Sequence, residues 1–219
     1  MRLWNFQRDI ANSIGDASVE RVSVLKSARV GCSSLLASVI AYHESADPCA
    51  ILLLMPTESD ARGVMVDDIE TLFDASPSLQ GLLKSPSRQP TERSTILSRQ
   101  FPAGSLKVIA SHAPRNLRRH SARVLLLDEV DAMEVTHEGD PVALAERRTM
   151  SFRDRKICAG STPTEESTSA ILRLYQASDM RIFEVCCPSC GGFAETPLAA
   201  YRMAGRRARS GRLQMPRLR

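Results

Sequence analysis

Two adjacent carboxylates, Asp128 and Glu129, follow an uninterrupted apolar run at residues 124–127. Such a run predicts a strand that is buried on both faces, as in a parallel sheet flanked by helices. Acids at the carboxyl end of a strand of this kind lie where open α/β sheets bind their ligands. The pattern is typical of a Walker B motif, in which the first acid holds Mg²⁺ and the second orients a water molecule.

A candidate phosphate-binding loop lies about a hundred residues earlier, at residues 26–33. A standard P-loop reads G-x-x-x-x-G-K-[ST], so that backbone amides surround the phosphates, the Lys neutralises them and the hydroxyl binds Mg²⁺. Gly31 and Ser33 match this pattern, but Cys32 stands where the Lys is expected. A Lys instead begins the loop, as Lys26. The letters of the motif are therefore not satisfied, although its glycine and its hydroxyl are present.

The elements predicted on either side of this loop favour a phosphate site. A strand is predicted at residues 20–26 and a helix rich in small and apolar residues at 33–44. Phosphate gains from the N-terminus of such a helix, where backbone amides and the helix dipole both favour negative charge. Lys26 and Arg29 are cations that could reach the β- and γ-phosphates from the leading end of the loop.

Each of these two features has an ordinary structural explanation when taken alone. Gly31, Cys32 and Ser33 could form a simple turn from a strand into a helix. The pair Asp128 and Glu129 could be polar residues at a strand end, which are common. Their order and spacing within one α/β chain together predict a nucleotide site.

At this point the chain resembles a known family, the large subunit of bacteriophage DNA-packaging terminases of the lambda-like GpA type. The resemblance covers roughly residues 1–192, and it implies a RecA-like P-loop ATPase that drives DNA into an empty capsid, followed in the family by a nuclease. The family carries its P-loop Lys at the start of the motif, which is similar to the position of Lys26. The most specific matches are residues 26–31, 123–131, 138–145 and 160–164.

The resemblance implies roles for the loop and for the two acids. Lys26 and Arg29 are expected to contact the phosphates, with Arg29 also a candidate catalytic arginine finger acting in cis. Ser33 and Asp128 are expected to hold Mg²⁺, which keeps much of its water shell, and Glu129 to orient the attacking water. The expected ATP phosphate-binding residues are Lys26, Ser27, Ala28, Arg29, Val30, Gly31, Cys32 and Ser33.

Two further segments are assigned by the same resemblance. Gln7 is expected to bind adenine, because its side-chain amide offers the paired donor and acceptor that an adenine edge requires. The aromatic residues beside it, Trp4 and Phe6, could equally well pack into the core. A coupling motif that senses the γ-phosphate is expected at Gly160, Ser161 and Thr162.

Length and composition predict a single α/β domain. The chain has 219 residues, of which 43% are hydrophobic, enough to fill one core. Alternating strands and helices predict a doubly wound, mostly parallel sheet flanked by helices. No residues remain for a nuclease of comparable size, so we expect a truncated chain without endonuclease activity. No export signal and no apolar run near ~18 residues is visible, so the bacterial cytoplasm is the expected location.

The arginine-rich C-terminus, residues 193–219, is expected to lie outside the ATPase domain of residues 1–185. Seven arginines and no acid lie within residues 201–219, whereas the whole chain has a net charge of +4, so the remainder is mildly acidic. Such a tail could bind phosphates non-specifically. Its alternative interpretation is a disordered or out-of-frame segment, because it has no apolar periodicity.

Residues 186–192 resemble half of a zinc knuckle. Cys187 and Cys190 form a C-P-x-C-G pattern, but structural zinc requires four ligands and no Cys or His follows Cys190. Zinc binding is therefore not expected in this chain, and a disulfide is disfavoured in a reducing compartment.

Elsewhere the pattern predicts an amphipathic helix at residues 59–73, a strand at 95–100, a helix at 140–152 and an edge strand at 181–185. The basic turn at residues 114–120 could contact DNA phosphates or the nucleotide of a neighbouring subunit, or could be a solvated surface turn.

The family implies double-stranded DNA, the terminase small subunit and the portal as partners, a homo-oligomeric ring, and ATP with Mg²⁺ as ligands. Two alternatives remain open. The chain could be a truncated prophage remnant that binds nucleotide without productive activity. It could also be a helicase-type RecA domain, although Lys26 and residues 138–145 fit that class poorly.

Overall fold

The structure is a computed structural model that describes residues 3–83, 96–186 and 190–195. The chain divides into two compact units, Met1–Asp179 and Met180–Arg219. The candidate loop and the two acids lie in the first unit, so its sheet and helices are the elements that position the site.

The first unit is built around a mixed sheet with the strand order β1-β6-β5-β2-β4-β3. Every described pair of neighbouring strands in it is parallel except β3 with β4, which is antiparallel. The prediction of a doubly wound, mostly parallel sheet is confirmed. The strands are β1 Arg21–Leu25, β2 Ala50–Met55, β3 Ser98–Phe101, β4 Gly104–Ala110, β5 Val124–Asp128 and β6 Lys156–Ser161.

Helices cover both faces of this sheet. None of the described helices combines the length and the apolar character needed to cross a bilayer. The helices are α1 Asn5–Gly15, α2 Cys32–Ser45, α3 Glu58–Gly63, α4 Thr71–Ala75, α5 Pro114–Leu117, α6 Pro141–Glu146 and α7 Ala170–Gln176.

Alternating residues of the central strands feed two separate cores. Leu53 and Leu126, which are register partners on β2 and β5, pack in the core that includes residues of α1 to α4. Their neighbours Leu52 and Leu125 point to the opposite face, into the core formed with α5 to α7. All four side chains are at most 1% exposed, and each fully buried leucine contributes roughly 1.5–3 kcal/mol. Burial on both faces explains why these strands read as continuous apolar runs.

The helix predicted at residues 59–73 is interrupted. Helix α3 is followed by a π-helix, Val64–Glu70, before α4 begins. The buried Val64 and Ile69 are five residues apart, a spacing that the wider turn of a π-helix places on one face. The sequence period of 3.6 could not reveal this widening. The chain still runs from Glu58 to Ala75 as one continuous helical segment, close to the predicted extent.

Other boundaries differ modestly from the predictions. The helix predicted at 140–152 ends at Glu146 and is followed by a 3₁₀ turn, Arg147–Thr149. Strand β3 begins at Ser98, later than the predicted residue 95, which lies outside the described residues.

The second unit contains a two-stranded antiparallel ladder. Strand β7, Glu184–Cys186, pairs with β8, Phe193–Glu195. The edge strand predicted at residues 181–185 differs in its bounds, because the observed strand covers residues 184–186, and it pairs with β8 in a ladder separate from the six-stranded sheet. Gly191, with φ 70°, lies between the two strands, where an L side chain would be strained. Residues 193–195 thus form a strand within the segment expected to lack structure, while residues 196–219 lie outside the described part.

The first core contains a buried acid, Glu44. Glu44 lies near the C-terminus of α2 and is 2% exposed, and neither carboxylate oxygen has a hydrogen-bond partner among the described residues. Burial raises the pKa of this carboxyl from 4.5 to about 8. Glu44 is therefore protonated at neutral pH, since an isolated buried charge would be much more costly.

This protonation makes the free energy of unfolding depend on pH. The folded-state pKa lies above the unfolded value, so the folded chain binds the extra proton and stability falls as pH rises from about 4.5 to about 8. Each pKa unit corresponds to about 1.4 kcal/mol, so the loss across this window is on the order of several kcal/mol. We expect Glu44→Met to remove that loss and to be more stable than the wild type at pH 8.5, with a much smaller difference at pH 5. Urea unfolding at both pH values measures it. The exposed Glu166→Met is the control, and equal pH dependence in wild type and Glu44→Met would contradict the assignment.

Candidate active site

The loop between β1 and α2 turns sharply at two residues with positive φ. Arg29 and Gly31 both adopt positive φ, 60° and 74°, which folds the loop back before α2 begins at Cys32. A Cβ added to Gly31 would lie 2.8 Å from Gln7 Nε2. Glycine is thus favoured at position 31 by its left-handed conformation and by the close approach of the Gln7 side chain.

Gln7 lies directly against this loop and is 3% exposed. Its Nε2 donates to the carbonyl oxygens of Val30 (3.0 Å) and Gly31 (3.4 Å). Its Oε1 accepts from the backbone amide of Trp4 at 3.0 Å. Both ends of the amide that could read an adenine edge therefore bond to the backbone, and Gln7 fastens α1 to the loop. The Trp4 side chain is 72% exposed, so it does not fill the core.

The loop and the acids predicted to act together are in contact. Asp128 ends β5 and is 1% exposed, and Ser33 Oγ donates to its Oδ2 at 2.7 Å. Lys26 Nζ lies 3.7 Å from Asp128 Oδ1 and forms an ion pair with Glu129 Oε1. The two carboxylates thus contact a cation from the start of the loop and a hydroxyl from its end. The acids lie about a hundred residues after the loop in the sequence.

Burial and charge set the protonation of these groups. Burial raises the pKa of Asp128 above its usual range, and the Ser33 hydrogen bond and the Lys26 charge only partly oppose it. For Lys26, burial lowers the pKa, but the Glu129 hydrogen bond and the Asp128 charge outweigh it and raise the value. Lys26 therefore stays charged between two acids. Burial raises the pKa of the Cys32 thiol to about 12, so Cys32 is an unreactive neutral side chain at neutral pH.

Glu129 is held from its other side by the predicted coupling motif. Its backbone is left-handed, with φ 54°, and its Oε2 accepts from the Thr162 amide (3.4 Å) and from Ser161 Oγ (3.3 Å). A Cβ on Gly160 would lie 3.0 Å from Cys32 Sγ and 3.6 Å from Lys26 Cε. Gly160 thus lets β6 approach the base of the loop closely.

The remaining predicted residues lie apart from this contact. Arg29 is exposed at the tip of the loop, with no hydrogen-bond or ion-pair partner among the described residues. Cys32 is buried, and its thiol points toward Gly160. Cys187, one half of the predicted knuckle, lies outside the described residues, whereas Cys190 is exposed and forms no disulfide with another described cysteine. No group of three or more potential metal-ligating side chains occurs within residues 3–83, 96–186 and 190–195.

Asp131 belongs to the same assembly but could not be recognised from the sequence. Its backbone amide donates to Ser161 Oγ at 3.2 Å, and its carboxylate accepts from Thr164 and Ile171. The available sequence signal was its position within the block 123–131 that resembles the terminase family. Contacts across more than thirty residues of chain leave no local pattern to read.

The arrangement suits a phosphate that is accompanied by a hard cation. Ser33 and Asp128 present two oxygen atoms at the N-terminus of α2, and Mg²⁺ takes oxygen ligands of this kind. The two carboxylates outnumber the single Lys26 cation between them, so the site favours a bound metal ion electrostatically. The residues present therefore fit a magnesium–nucleotide complex.

Sequence comparisons identify relatives of this chain among phage proteins. The chain is 32% identical over 203 residues to the "Terminase, large subunit" of Escherichia phage lambda, covering 88% of this chain and 32% of that protein. The corresponding protein of Enterobacteria phage P21 is 29% identical over 189 residues, covering 85% of this chain and 29% of its own length. The chain thus spans about a third of the length of these curated relatives.

Solved structures support the same fold. The HK97 bacteriophage large terminase superposes with a TM-score of 0.59 at 16% identity, covering 80% of this chain and 36% of that structure. The large terminase ATPase domain of Thermus phage P74-26 gives 0.57 at 17% identity, covering 90% and 78%. At these identities the likeness concerns the RecA-like fold alone. The sequence model of the family described as "Phage terminase large subunit gpA, ATPase domain" matches residues 1–210, and this chain therefore belongs to that family.

Proposed function

We propose that this chain binds ATP with Mg²⁺ and hydrolyses it as the ATPase motor domain of a DNA-packaging terminase. The observation that carries the proposal is the meeting of Lys26 and Ser33 with Asp128 and Glu129. It brings a cation, a hydroxyl and two carboxylates together at one edge of the sheet, where α/β folds bind ligands.

The loop would hold the triphosphate. Lys26 would neutralise the β- and γ-phosphates, Arg29 would approach from the exposed tip of the loop, and the amides of residues 28–33 would surround the β-phosphate. Ser33 and Asp128 would hold Mg²⁺, which supplies positive charge to the phosphate oxygens. Gln7 lies beneath the loop, where an exchange of its present hydrogen bonds would allow it to meet the adenine.

Glu129 would act on the attacking water. One of its oxygens is paired with Lys26 and the other with the Thr162 amide, so its orientation is fixed from two sides. A carboxylate held in this way can accept a hydrogen bond from water and aim it at the γ-phosphate. Arg29, acting in cis, would stabilise the charge that develops during phosphoryl transfer. The coupling motif at Gly160, Ser161 and Thr162 would sense the loss of the γ-phosphate through the hydrogen bonds of Ser161 and Thr162 to Glu129.

We infer the activity of the complete protein from the family and from the names of its relatives. As part of a terminase large subunit, the chain would use ATP hydrolysis to move double-stranded DNA into a procapsid, with a small subunit and a portal as partners and other copies in a ring. This would take place in the cytoplasm of a bacterial host. Zinc binding by Cys187 and Cys190 is not part of the proposal.

The two alternative functions predict different experimental outcomes. A prophage remnant would bind nucleotide without turnover, and a helicase-type RecA domain would separate DNA strands. The basic turn at residues 114–120, in which Arg115 and Arg119 are exposed, is compatible with DNA contact in either a motor or a helicase.

Phosphate release by the purified chain tests the proposal. We expect turnover of ATP that requires Mg²⁺, stops when EDTA is added and rises when double-stranded DNA is present. Nucleotide binding without turnover, with and without DNA, would favour the remnant. Unwinding of a duplex with a single-stranded tail would favour the helicase-type domain.

A further inference from the structure

Asp131 ties a distant loop to the end of β5. It lies in the 3₁₀ helix Val130–Ala132, directly after Glu129, and is half-buried. Its Oδ2 accepts from the Thr164 amide (2.9 Å) and hydroxyl (3.2 Å), and its Oδ1 accepts from the Ile171 amide (2.8 Å). One carboxylate thus fastens two points of the chain that are 33 and 40 residues away.

The same residue contacts the motif that holds Glu129. The amide of Asp131 donates to Ser161 Oγ at 3.2 Å. The Ser161 hydroxyl shares its single proton between Glu129 Oε2 (3.3 Å) and the Thr162 carbonyl (3.1 Å). Ser161 therefore stands between Asp131 and Glu129 and bonds to both. A displacement of Ser161 would be felt by the Glu129 carboxylate.

The carboxylate of Asp131 is built to stay ionised and in place. Partial burial raises the pKa of this group, but the Ile171 amide, the Ser169 hydroxyl and Thr164 together lower it below its usual value. At the far end of the connection, Ile171 is 0% exposed in the second core, and Ser169 caps α7 by accepting from the Leu172 amide. The Asp131 carboxylate therefore tethers the end of β5 to helix α7, which packs in the second core.

We propose that Asp131 is a positioning residue for the hydrolytic site, which fixes the Glu129 carboxylate by holding residues 161–171 against the end of β5. The inference rests on the proposed function, in which Glu129 orients the attacking water. Within the described part of the chain, no hydrogen bond or ion pair is seen between Asp131 and Lys26, Ser33 or Asp128. Its hydrogen-bonded link to Glu129 runs through Ser161, whose neighbour Thr162 also bonds to Glu129. A small displacement of a catalytic group can lower a rate by about a hundredfold.

The Asp131→Asn variant tests this role, because it keeps the shape of the side chain but replaces one accepting oxygen by an NH₂ group. That group is a donor and cannot accept from a backbone N–H. We expect hydrogen exchange at the Thr164, Ile171 and Thr162 amides to rise by about tenfold or more. We expect kcat to fall by about 10- to 100-fold, while KM for ATP changes by less than about threefold. The control is Glu134→Gln. Glu134 is exposed and lies three residues after Asp131, so this variant removes the same charge and should behave like the wild type.

The exchange of the Thr162 amide reports on the Glu129 carboxylate without any need for turnover. Lost protection at Thr164 and Ile171 with normal protection at Thr162 and a normal kcat would overturn the positioning role. Unchanged protection at all three amides would overturn the tether itself. If the wild type shows no ATP turnover, the proposed function fails, and Thr162 exchange still decides the positioning role. Should Asp131→Asn not fold, Thr164→Val removes one of the bonds and must shift Thr162 exchange in the same direction for the inference to survive.

Discussion

The Glu129→Gln variant is expected to bind ATP about as tightly as the wild type and to release phosphate about 10²- to 10⁴-fold more slowly. Glutamine keeps the length of the side chain and can still meet the Thr162 amide, which lies 3.4 Å from Glu129 Oε2. It lacks the negative charge that polarises a water molecule. A loss of this size corresponds to about 3–5 kcal/mol in the barrier. Single-turnover phosphate release together with equilibrium binding of a fluorescent nucleotide separates chemistry from affinity.

Glu134→Gln serves as the matched control for this measurement as well. Glu134 is exposed in the same loop region, so the two variants lose the same charge at nearly the same place. The control should keep wild-type turnover and binding. A Glu129→Gln chain that hydrolyses ATP at more than about a tenth of the wild-type rate would show that another group orients the water.

The central strand β5 was readable from the sequence because both of its faces are buried. The apolar run that the sequence shows before Asp128 is this strand, Val124–Asp128. The site followed from the same reasoning, since parallel strands bring their carboxyl ends to one edge. Lys26 and Glu129 lie at the ends of β1 and β5, on either side of β6 in the sheet order. Their placement at one edge of the sheet could be expected from the sequence, whereas the ion pair between them could not.

What could not be read from the sequence depends on contacts between distant segments. The bond from Gln7 to the loop carbonyls and the tether from Asp131 to Ile171 leave no periodic pattern. The burial of Glu44 is an intermediate case. It lies four residues after the fully buried Ile40 on α2, so helical spacing places it on the core face despite its charge. Residue type and position conflict there, and position decides.

The displaced cation gives the second large prediction. Lys26→Met should weaken ATP binding by about 10²- to 10³-fold, since each factor of ten is about 1.4 kcal/mol and charge-assisted hydrogen bonds contribute about 1.5–3 kcal/mol each. Without Lys26, the Glu129 carboxylate would also lose its ion-pair partner at the site. Lys107→Met is the control, because Lys107 lies on β4, where its Nζ donates to Ser98 Oγ at 3.3 Å. The measurement is nucleotide affinity by equilibrium titration at fixed Mg²⁺.

The double variant Lys26→Met with Cys32→Lys restores the Lys of the standard motif and tests whether the position of the cation is built into this fold. We expect no recovery of affinity, because the Cys32 side chain is buried and its sulfur lies 3.0 Å from where a Cβ on Gly160 would be. The longer Lys side chain does not fit in the space that Cys32 occupies beside Gly160. It would have to push the loop or the end of β6 out of place. Recovery to within about tenfold of the wild-type affinity would mean that the loop accepts a cation from either end. The packing of Cys32 against Gly160 would then not be the reason for the unusual motif.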